Sequence, residues 1–320
     1  MADRFQRKIN YMRISITDLC NMRCLYCMPE KGIQKKPHTA FLSYEELVSI
    51  VKASVPLGID KLRITGGEPL VRKGILGFIQ SLGEIDGIRE ITMTTNGSLL
   101  GDMAEPLKNA GITRFNISID SLQEDRYREI TRGGELKDVL RGIDKALELD
   151  MKPVKLNAVV IGGYNEEELE DFANLTYDQP IDVRFIELMP VGEASQWAKS
   201  RFISNDTIKK RLGLLHPLKG AQGSPAKYYQ LPGAKGKIGF INPISDHFCS
   251  ECNRIRLTSD GKLKPCLHSN EEIDLLPILR DHPEKIGEIV AAAIDAKPER
   301  HLLNQENAIC TSRNMCQIGG

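Results

Sequence analysis

The chain has no excess charge of either sign, no long apolar run and too few cysteines for a disulfide scaffold. Its 43 Lys and Arg balance 43 Asp and Glu, so the formal net charge is zero. A protein whose whole surface grips nucleic acid or an anionic membrane would carry a cationic surplus, so neither partner is expected, although a local basic pocket is still allowed. No apolar run approaches the ~20 residues needed to span a bilayer. The segment from Met1 to Lys8 is polar and lacks the apolar stretch of a secretory signal, so a cytoplasmic location is the expectation. Hydrophobic residues make up 41% and charged residues 27%, ordinary for a globular protein. At ~150 residues per domain, 320 residues suggest two units or one large α/β domain with an extension.

Eight cysteines in 320 residues are too sparse for a disulfide framework, but they are clumped. Cys20, Cys24 and Cys27 form one triplet; Cys249, Cys252 and Cys266 form another; Cys310 and Cys316 stand alone in the tail. Two such triplets point to two metal or cluster sites in a reducing compartment.

Short β-branched runs alternate with amphipathic segments over the first 190 residues. Strands are expected near Arg13–Thr17, Lys61–Thr65, Glu90–Thr95, Arg114–Ile119, Val154–Ile161 and Asp182–Glu187. Helices are expected near Ser43–Ser54, Gly74–Leu82, Met103–Ala110, Leu136–Leu149 and Glu166–Thr176. Ser43 and Glu46 have capping-box spacing, and Gly58 and Gly111 sit where helices should stop. Such alternation makes parallel βαβ units, either in an open doubly wound sheet or in an incomplete barrel. The unusual polar residues follow the strands, on the edge where parallel α/β folds keep their sites. After Met189 the alternation ends. Hairpins are expected at Ala226–Leu231 with Lys237–Ile241 and at Ile255–Leu257 with Lys262–Lys264, then helices near Leu275–Asp281 and Glu284–Ala296. This divides the chain into 1–190, with the first triplet, and 191–320, with the second.

Cys20-Asn21-Met22-Arg23-Cys24-Leu25-Tyr26-Cys27 places three thiols on the loop after the first strand. Soft thiolates select iron–sulfur clusters, zinc or copper(I). Structural zinc needs a fourth ligand, and the nearest histidine, His38, lies beyond Pro37. A 4Fe–4S cluster held by three cysteines keeps one iron open for a ligand. Spacing alone leaves zinc and iron–sulfur open, with three buried reduced thiols as the bland alternative. CxxxCxxC with Tyr26 before the last cysteine, together with Gly66-Gly67-Glu68-Pro69 after the second strand, resembles the radical S-adenosylmethionine superfamily. That resemblance implies a 4Fe–4S cluster whose open iron chelates S-adenosylmethionine. It also implies reductive release of a 5′-deoxyadenosyl radical, and an incomplete (β/α)6 barrel with an α+β extension. The glycine pair would allow the backbone to approach the ammonium group closely.

The second triplet could equally hold zinc, with His268 or His247 as fourth ligand. On a strand, Arg254 and Arg256 would point to one side, where two guanidinium groups beside a metal suit a phosphate-rich or purine ligand. CxxC, Asn253-Arg254-Ile255-Arg256 and a third cysteine at this spacing resemble the GTP 3′,8-cyclase family. So do Met12–Asp18, Leu62–Pro69, Thr94–Gly97, Asn116–Ser121, Val154–Asn157, Arg184–Met189 and the terminal Gly319-Gly320. The resemblance runs over essentially the whole chain. It implies a lyase of molybdenum cofactor biosynthesis with two 4Fe–4S clusters. Tyr26, Gly67, Ser118 and Met189 would line the S-adenosylmethionine site. Arg13, Arg63, Thr94, Lys155, Arg254 and Arg256 would hold GTP, with the second cluster's open iron on the guanine. Arg256, Gly319 and Gly320 would serve catalysis, the last two as a bare-backbone tail reaching the barrel mouth. Hydrogen abstraction at C3′ and attack on C8 would give 3′,8-cyclo-7,8-dihydro-GTP. The implied partners are a flavodoxin- or ferredoxin-type electron donor, a cyclic pyranopterin monophosphate synthase that takes the product, and a second copy of the chain in a homodimer. The rival readings are another two-cluster radical enzyme acting on a peptide or small molecule, or a non-catalytic zinc or electron-transfer protein.

Overall fold

The computed structural model describes every residue except 35, 221–222, 302–310 and 320, and the side chain at 193. Cys310 and Gly320 therefore lie outside the described residues.

Six strands run through the first half: β1 (Tyr11–Ser15), β2 (Lys61–Thr65), β3 (Glu90–Thr95), β4 (Arg114–Ser118), β5 (Val154–Val160) and β6 (Ile181–Glu187). Between them lie α1 (Tyr44–Ser54), α2 (Ile75–Gly83), α3 (Leu100–Ala110), α4 (Glu124–Thr131), α5 (Leu136–Glu148) and α6 (Leu169–Asp178). Each strand pairs in parallel with the next in chain order, from β1 to β6. No strand order reverses there, so this part of the sheet has no doubly wound switch point.

The expected strands and helices are present to within a few residues. Ser43 accepts from the Glu46 amide and Glu46 accepts from the Ser43 amide, completing the capping box of α1. Gly58 and Gly111 adopt left-handed geometry at helix ends. Helix α4 was not expected. Its sequence, Glu-Asp-Arg-Tyr-Arg-Glu-Ile-Thr, buries only Tyr127, Ile130 and Thr131, too few apolar positions to show a helical period.

After β6 come α7 (Ser195–Lys199), α8 (Asn205–Leu212), β7 (His216–Pro217), β8 (Ala226–Gln230) and β9 (Lys237–Ile241). Then follow β10 (Arg254–Leu257), β11 (Lys262–Lys264), β12 (Ile273–Asp274), α9 (Leu276–Asp281) and α10 (Ile286–Asp295). Both expected hairpins form, β8 with β9 and β10 with β11. They do not stand apart: β9 pairs in parallel with β6, and β10 pairs in parallel with β1. The second half thus extends both edges of one 12-stranded sheet.

Strand alternation sorts the side chains. Met12, Ile14, Leu62, Ile64, Ile91, Met93, Phe115, Ile117, Leu156, Val183, Phe185, Ile255 and Leu257 are buried in one core with Leu47, Ile50, Phe78, Leu107 and Val139 of the helices. The intervening residues point to the opposite face. There the sequence places Arg13, Arg63, Thr94, Ser118, Asn157, Arg184, Arg254 and Arg256, a polar face where a parallel sheet is ordinarily apolar on both sides. Ser43→Ala should remove one arm of the α1 cap and cost about 1 kcal/mol. Chemical denaturation checks this, with unchanged stability as the contrary result.

Candidate active site

Both cysteine triplets line one cavity on that polar face. It encloses about 1850 Å³ not filled by protein, open solvent at its mouth included. Tyr26, Gly67, Ser118, Met189, Arg13, Arg63, Thr94, Arg254 and Arg256 line the same cavity. Lys155 does not. It lies on β5 with its Nζ 3.5 Å from Asp182 and donating to the Tyr228 hydroxyl at 3.0 Å. Gly319 reaches the arginines through its backbone rather than the cavity wall.

The first triplet sits on the loop after β1. The Cys27 and Met28 amides donate to the Cys24 carbonyl, closing a tight turn. The Arg23 and Leu25 amides donate to Thr131 and Ile130, so the end of the unexpected helix α4 holds this loop. Burial pushes the Cys20 thiol up to about 11 and raises Cys24 further above its ordinary range. Thiols so placed are disfavoured as free thiolates. Cys316, left unassigned from the sequence, lies against Cys27, and the contact raises that thiol as well.

The glycine pair has a local structural duty. A Cβ on Gly67 would lie 2.4 Å from the Leu19 carbonyl oxygen and 2.7 Å from that of Asp18. The Gly67 amide donates to Thr17 and the Glu68 amide to Leu19. The two glycines therefore let the second strand's loop pack onto the backbone that leads into Cys20.

Glu68 is fully buried and accepts from the Leu70 amide, the Asn96 amide and the Thr95 hydroxyl at 3.0, 2.7 and 2.8 Å. Burial raises its carboxyl to about 7, against the pull of those donors. Asn96 in turn donates to Asn21 at 2.8 Å and lies 3.8 Å from the Cys20 sulfur. Asp120 accepts from the Tyr26 hydroxyl and the Val159 amide, each at 2.8 Å, and burial raises it to about 6. Neither carboxylate stood out in the sequence as more than part of a motif.

The second triplet begins in a short turn over Cys249–Glu251, and Cys266 follows β11. Glu187, at the end of β6, accepts from the Ile244 and Ser245 amides and so fixes the segment entering that turn. Lys297 donates to the carbonyls of Arg254 and Pro265, both at 2.8 Å, tying together the stretches that carry Cys252 and Cys266. Burial alone would raise Cys252, but Lys297 and Arg254 outweigh it and hold that thiol below its ordinary value. His247, Cys249 and His301 bring ligand atoms within 4.8 Å of one another. The His268 ring stacks edge-on against His301 at 4.7 Å between centroids.

A row of cations lines the same cavity. Arg256, Arg13 and Arg63 are register partners on β10, β1 and β2. Among the described residues, none of Arg63, Arg254 and Arg256 has a carboxylate within ion-pair distance. Burial and neighbouring guanidinium groups lower Arg13 well below its ordinary value and Arg256 to about 10. Arg184 on β6, not singled out in the sequence, is similarly lowered to about 10 and donates to Asn116 at 2.5 Å. Among the described residues, the Thr94 hydroxyl, the Asn157 side-chain Oδ1 and Nε of Arg184 and Arg254 are buried without a hydrogen-bond partner. Buried cations and orphaned polar atoms facing one cavity fit a multiply charged, hydrogen-bonding ligand.

Comparison with known proteins agrees with this geometry. Residues 14–176 match the family described as Radical SAM superfamily, and residues 181–303 match Molybdenum Cofactor Synthesis C. The GTP 3′,8-cyclase of Alkaliphilus oremlandii (strain OhILAs) is 63% identical over 320 residues, covering 100% of both chains. The chain belongs to the GTP 3′,8-cyclase family. The family's member from Alkaliphilus metalliredigens (strain QYMF) is 62% identical, also over 100% of both chains. The member from Desulforamulus reducens is 49% identical over 327 residues. Among solved structures, Streptococcus suis SuiB bound to S-adenosylmethionine matches with a TM-score of 0.56 at 17% identity, covering 88% of this chain and 68% of that one. This similarity carries the α/β radical-enzyme fold alone. Membership of the superfamily implies a 4Fe–4S cluster and S-adenosylmethionine. No helix among the described residues is long and apolar enough to cross a membrane. Gly67→Ala should push the Leu19 carbonyl away and disorder the first cysteine loop. Iron analysis and electron paramagnetic resonance of the reconstituted variant should show iron lost from the first triplet; full occupancy there would refute this reading of the glycine.

Proposed function

We propose that the protein is the radical enzyme that converts GTP to (8S)-3′,8-cyclo-7,8-dihydroguanosine 5′-triphosphate, the first step of molybdenum cofactor biosynthesis. The observation that carries this is the register-matched arginine row, which lines the same cavity as both cysteine triplets.

Cys20, Cys24 and Cys27 hold the first 4Fe–4S cluster, and Cys249, Cys252 and Cys266 hold a second. A cluster held by three thiols at each site would have room for a ligand, S-adenosylmethionine at the first and the guanine of GTP at the second. A cluster held by the first triplet would supply the electron for reductive cleavage of S-adenosylmethionine and so the radical chemistry directed at the ribose C3′. The chain's own work is binding and orientation. Tyr26, Gly67, Ser118 and Met189 line the S-adenosylmethionine end. Tyr26 is fixed by Asp120, and Met189 is packed near the buried Met315 and Ile318. Arg13, Arg63, Arg254 and Arg256 hold the phosphates through planar, charge-assisted contacts, and Thr94 offers its orphaned hydroxyl. Lys155 reaches the triphosphate only by leaving Asp182. Holding C3′ against C8 of the same nucleotide needs both ends clamped, which two sites in one cavity would accomplish. Burial of the reacting centre keeps water from the radical.

In this reading residues 1–190 form an incomplete (β/α)6 barrel and residues 191–320 the α+β extension that completes the GTP end. The protein works as a homodimer in the cytoplasm. It takes electrons from a flavodoxin- or ferredoxin-type donor and passes its product to a cyclic pyranopterin monophosphate synthase.

Anaerobically reconstituted protein given reductant, S-adenosylmethionine and GTP should form deoxyadenosine and the cyclised nucleotide together. Deoxyadenosine without any cyclised nucleotide would overturn the assignment. The cluster of His247, Cys249 and His301 makes zinc the specific alternative at the second site. Metal analysis of Cys24→Ala and Cys252→Ala separates the two. Cys24→Ala should keep second-site iron and abolish deoxyadenosine, while Cys252→Ala should keep first-site iron; zinc displaced by Cys252→Ala would refute the second cluster. Arg256→Ala should weaken GTP binding by roughly 1.5–3 kcal/mol with both clusters intact, and unchanged affinity would remove the arginine from the site.

A further inference from the structure

The C-terminal segment 311–319 enters the site, and its path is set far from its tip. Arg313 is the only charged residue in that stretch. Its Nε and Nη2 each donate to the Glu272 carboxylate at 2.7 Å, and its Nη1 donates to both Asp260 oxygens at 3.0 and 3.1 Å. All three guanidinium nitrogens are engaged, and the side chain is only 14% exposed. Both carboxylates are themselves held. Asp260 accepts from Lys36 at 2.8 Å and from the Thr258 hydroxyl at 2.6 Å. Glu272 accepts from the fully buried Lys264 at 2.8 Å. The Ser312 amide donates to Asn270 at 3.0 Å. The receptor for Arg313 is thus the segment around the β10–β11 hairpin, the same segment that carries Arg256 and Cys266.

From this anchor the chain turns once, with the Gln317 amide donating to the Asn314 carbonyl and the Gln317 side chain accepting from the Asn314 amide. Met315 and Ile318 are then buried with Val191, beside Met189, Leu267 and Cys27. Gly319 is left-handed, and a Cβ there would lie 2.7 Å from the Thr65 side chain. At the end of this path the Gly319 carbonyl accepts from Arg13 at 2.9 Å and from Arg256 at 3.3 Å, and the Ile318 carbonyl also accepts from Arg256 at 3.3 Å. These acceptors are neutral. They orient two guanidinium groups without cancelling their charge.

We infer that Arg313 is a positioning residue: clamped by Asp260 and Glu272, it fixes the tail so that the Ile318 and Gly319 carbonyls hold Arg13 and Arg256 in the orientation that receives a nucleotide triphosphate. This rests on the reading of those arginines as the GTP site. Arginine is required rather than lysine, because an ammonium group cannot make parallel contacts to one carboxylate while reaching a second. Loss of the clamp removes charged contacts from partly buried carboxylates and frees the segment that follows.

The experiment compares the reconstituted wild-type enzyme with Arg313→Ala, Arg313→Lys, Glu272→Gln, Arg256→Ala and a chain ending at Gln317. Steady-state cyclisation gives KM and kcat, and hydrogen-exchange mass spectrometry follows residues 311–319. Arg313→Ala should raise KM for GTP about tenfold, approaching the truncated chain, and should lose exchange protection in the tail. Arg313→Lys and Glu272→Gln should fall between Arg313→Ala and wild type. Iron content and GTP-independent cleavage of S-adenosylmethionine should stay at wild-type levels in the Arg313 and Glu272 variants. Wild-type KM and tail protection in Arg313→Ala would overturn the clamp; should that variant fail to fold, wild-type values in Glu272→Gln overturn it equally. Arg256→Ala distinguishes the two levels of the argument. If it leaves KM for GTP unchanged, the arginine site itself is wrong. If it raises KM while Arg313→Ala does not, only the clamp is wrong.

Discussion

Three guanidinium groups at matched register on β10, β1 and β2 are the constraint around which this site is built. Like charges buried side by side repel, and burial removes the water that would screen them. The lowering of Arg13 and Arg256 expresses that cost directly. A fold keeps such a row only if something else holds the strands, and here the opposite face does so. The alternating Met12, Ile14, Leu62, Ile64, Ile255 and Leu257 are buried without exception in the core. The hydrophobic face stabilises the sheet, and the polar face is thereby free to store unfavourable charge for an anion.

The same division of labour appears at the first cysteine loop. A loop bearing three thiols has little packing of its own. It is held from β2 by Gly66 and Gly67, from the end of α4 by Ile130 and Thr131, and from the end of β3 by Asn96. Glu68 binds two of these supports together, accepting from Leu70 on its own side and from Thr95 and Asn96 on the other. Its carboxyl is raised to about 7, so near neutrality the network holds a group close to its midpoint. The polar contacts around it are therefore as much a positional device as an electrostatic one.

Much of this was legible in the sequence, for physical reasons that differ by residue. The strands announced themselves by alternation and the α1 start by Ser43 and Glu46, because those signals are local. The cysteine triplets were legible because thiol spacing is chemistry rather than packing. Helix α4 was not, since its polar surface hides any period and its stability comes from contacts with a loop more than 90 residues earlier. The joining of β10 to β1 was also hidden: nothing local in Arg254–Leu257 says that it will pair with residues 11–14. Asp120 and Glu187 stood out only as polar residues after strands and Arg184 only as part of a motif; the fold brings all three to the cavity wall. Lys155 shows the converse. The family resemblance placed it at GTP, and in this structure Asp182 on the neighbouring strand supplies its counter-charge.

The long-range pairing explains why the tail matters. Arg256 and Arg13 come from opposite ends of the chain and meet only because β10 adds beside β1. Pairing fixes their Cα positions, but a guanidinium at the end of a long side chain can still rotate away from a like-charged neighbour. Repulsion between the two favours such divergence. Carbonyl oxygens placed between them oppose it, since one acceptor bridging two donors gains most when both converge. A side-chain carboxylate in that position would converge them more strongly, but it would also neutralise the field that draws in a triphosphate. The Ile318 and Gly319 carbonyls are acceptors that are themselves neutral and without bulk, in a gap where even a Cβ on Gly319 would crowd Thr65. The composition of the tail thus follows from the electrostatics of the row it serves.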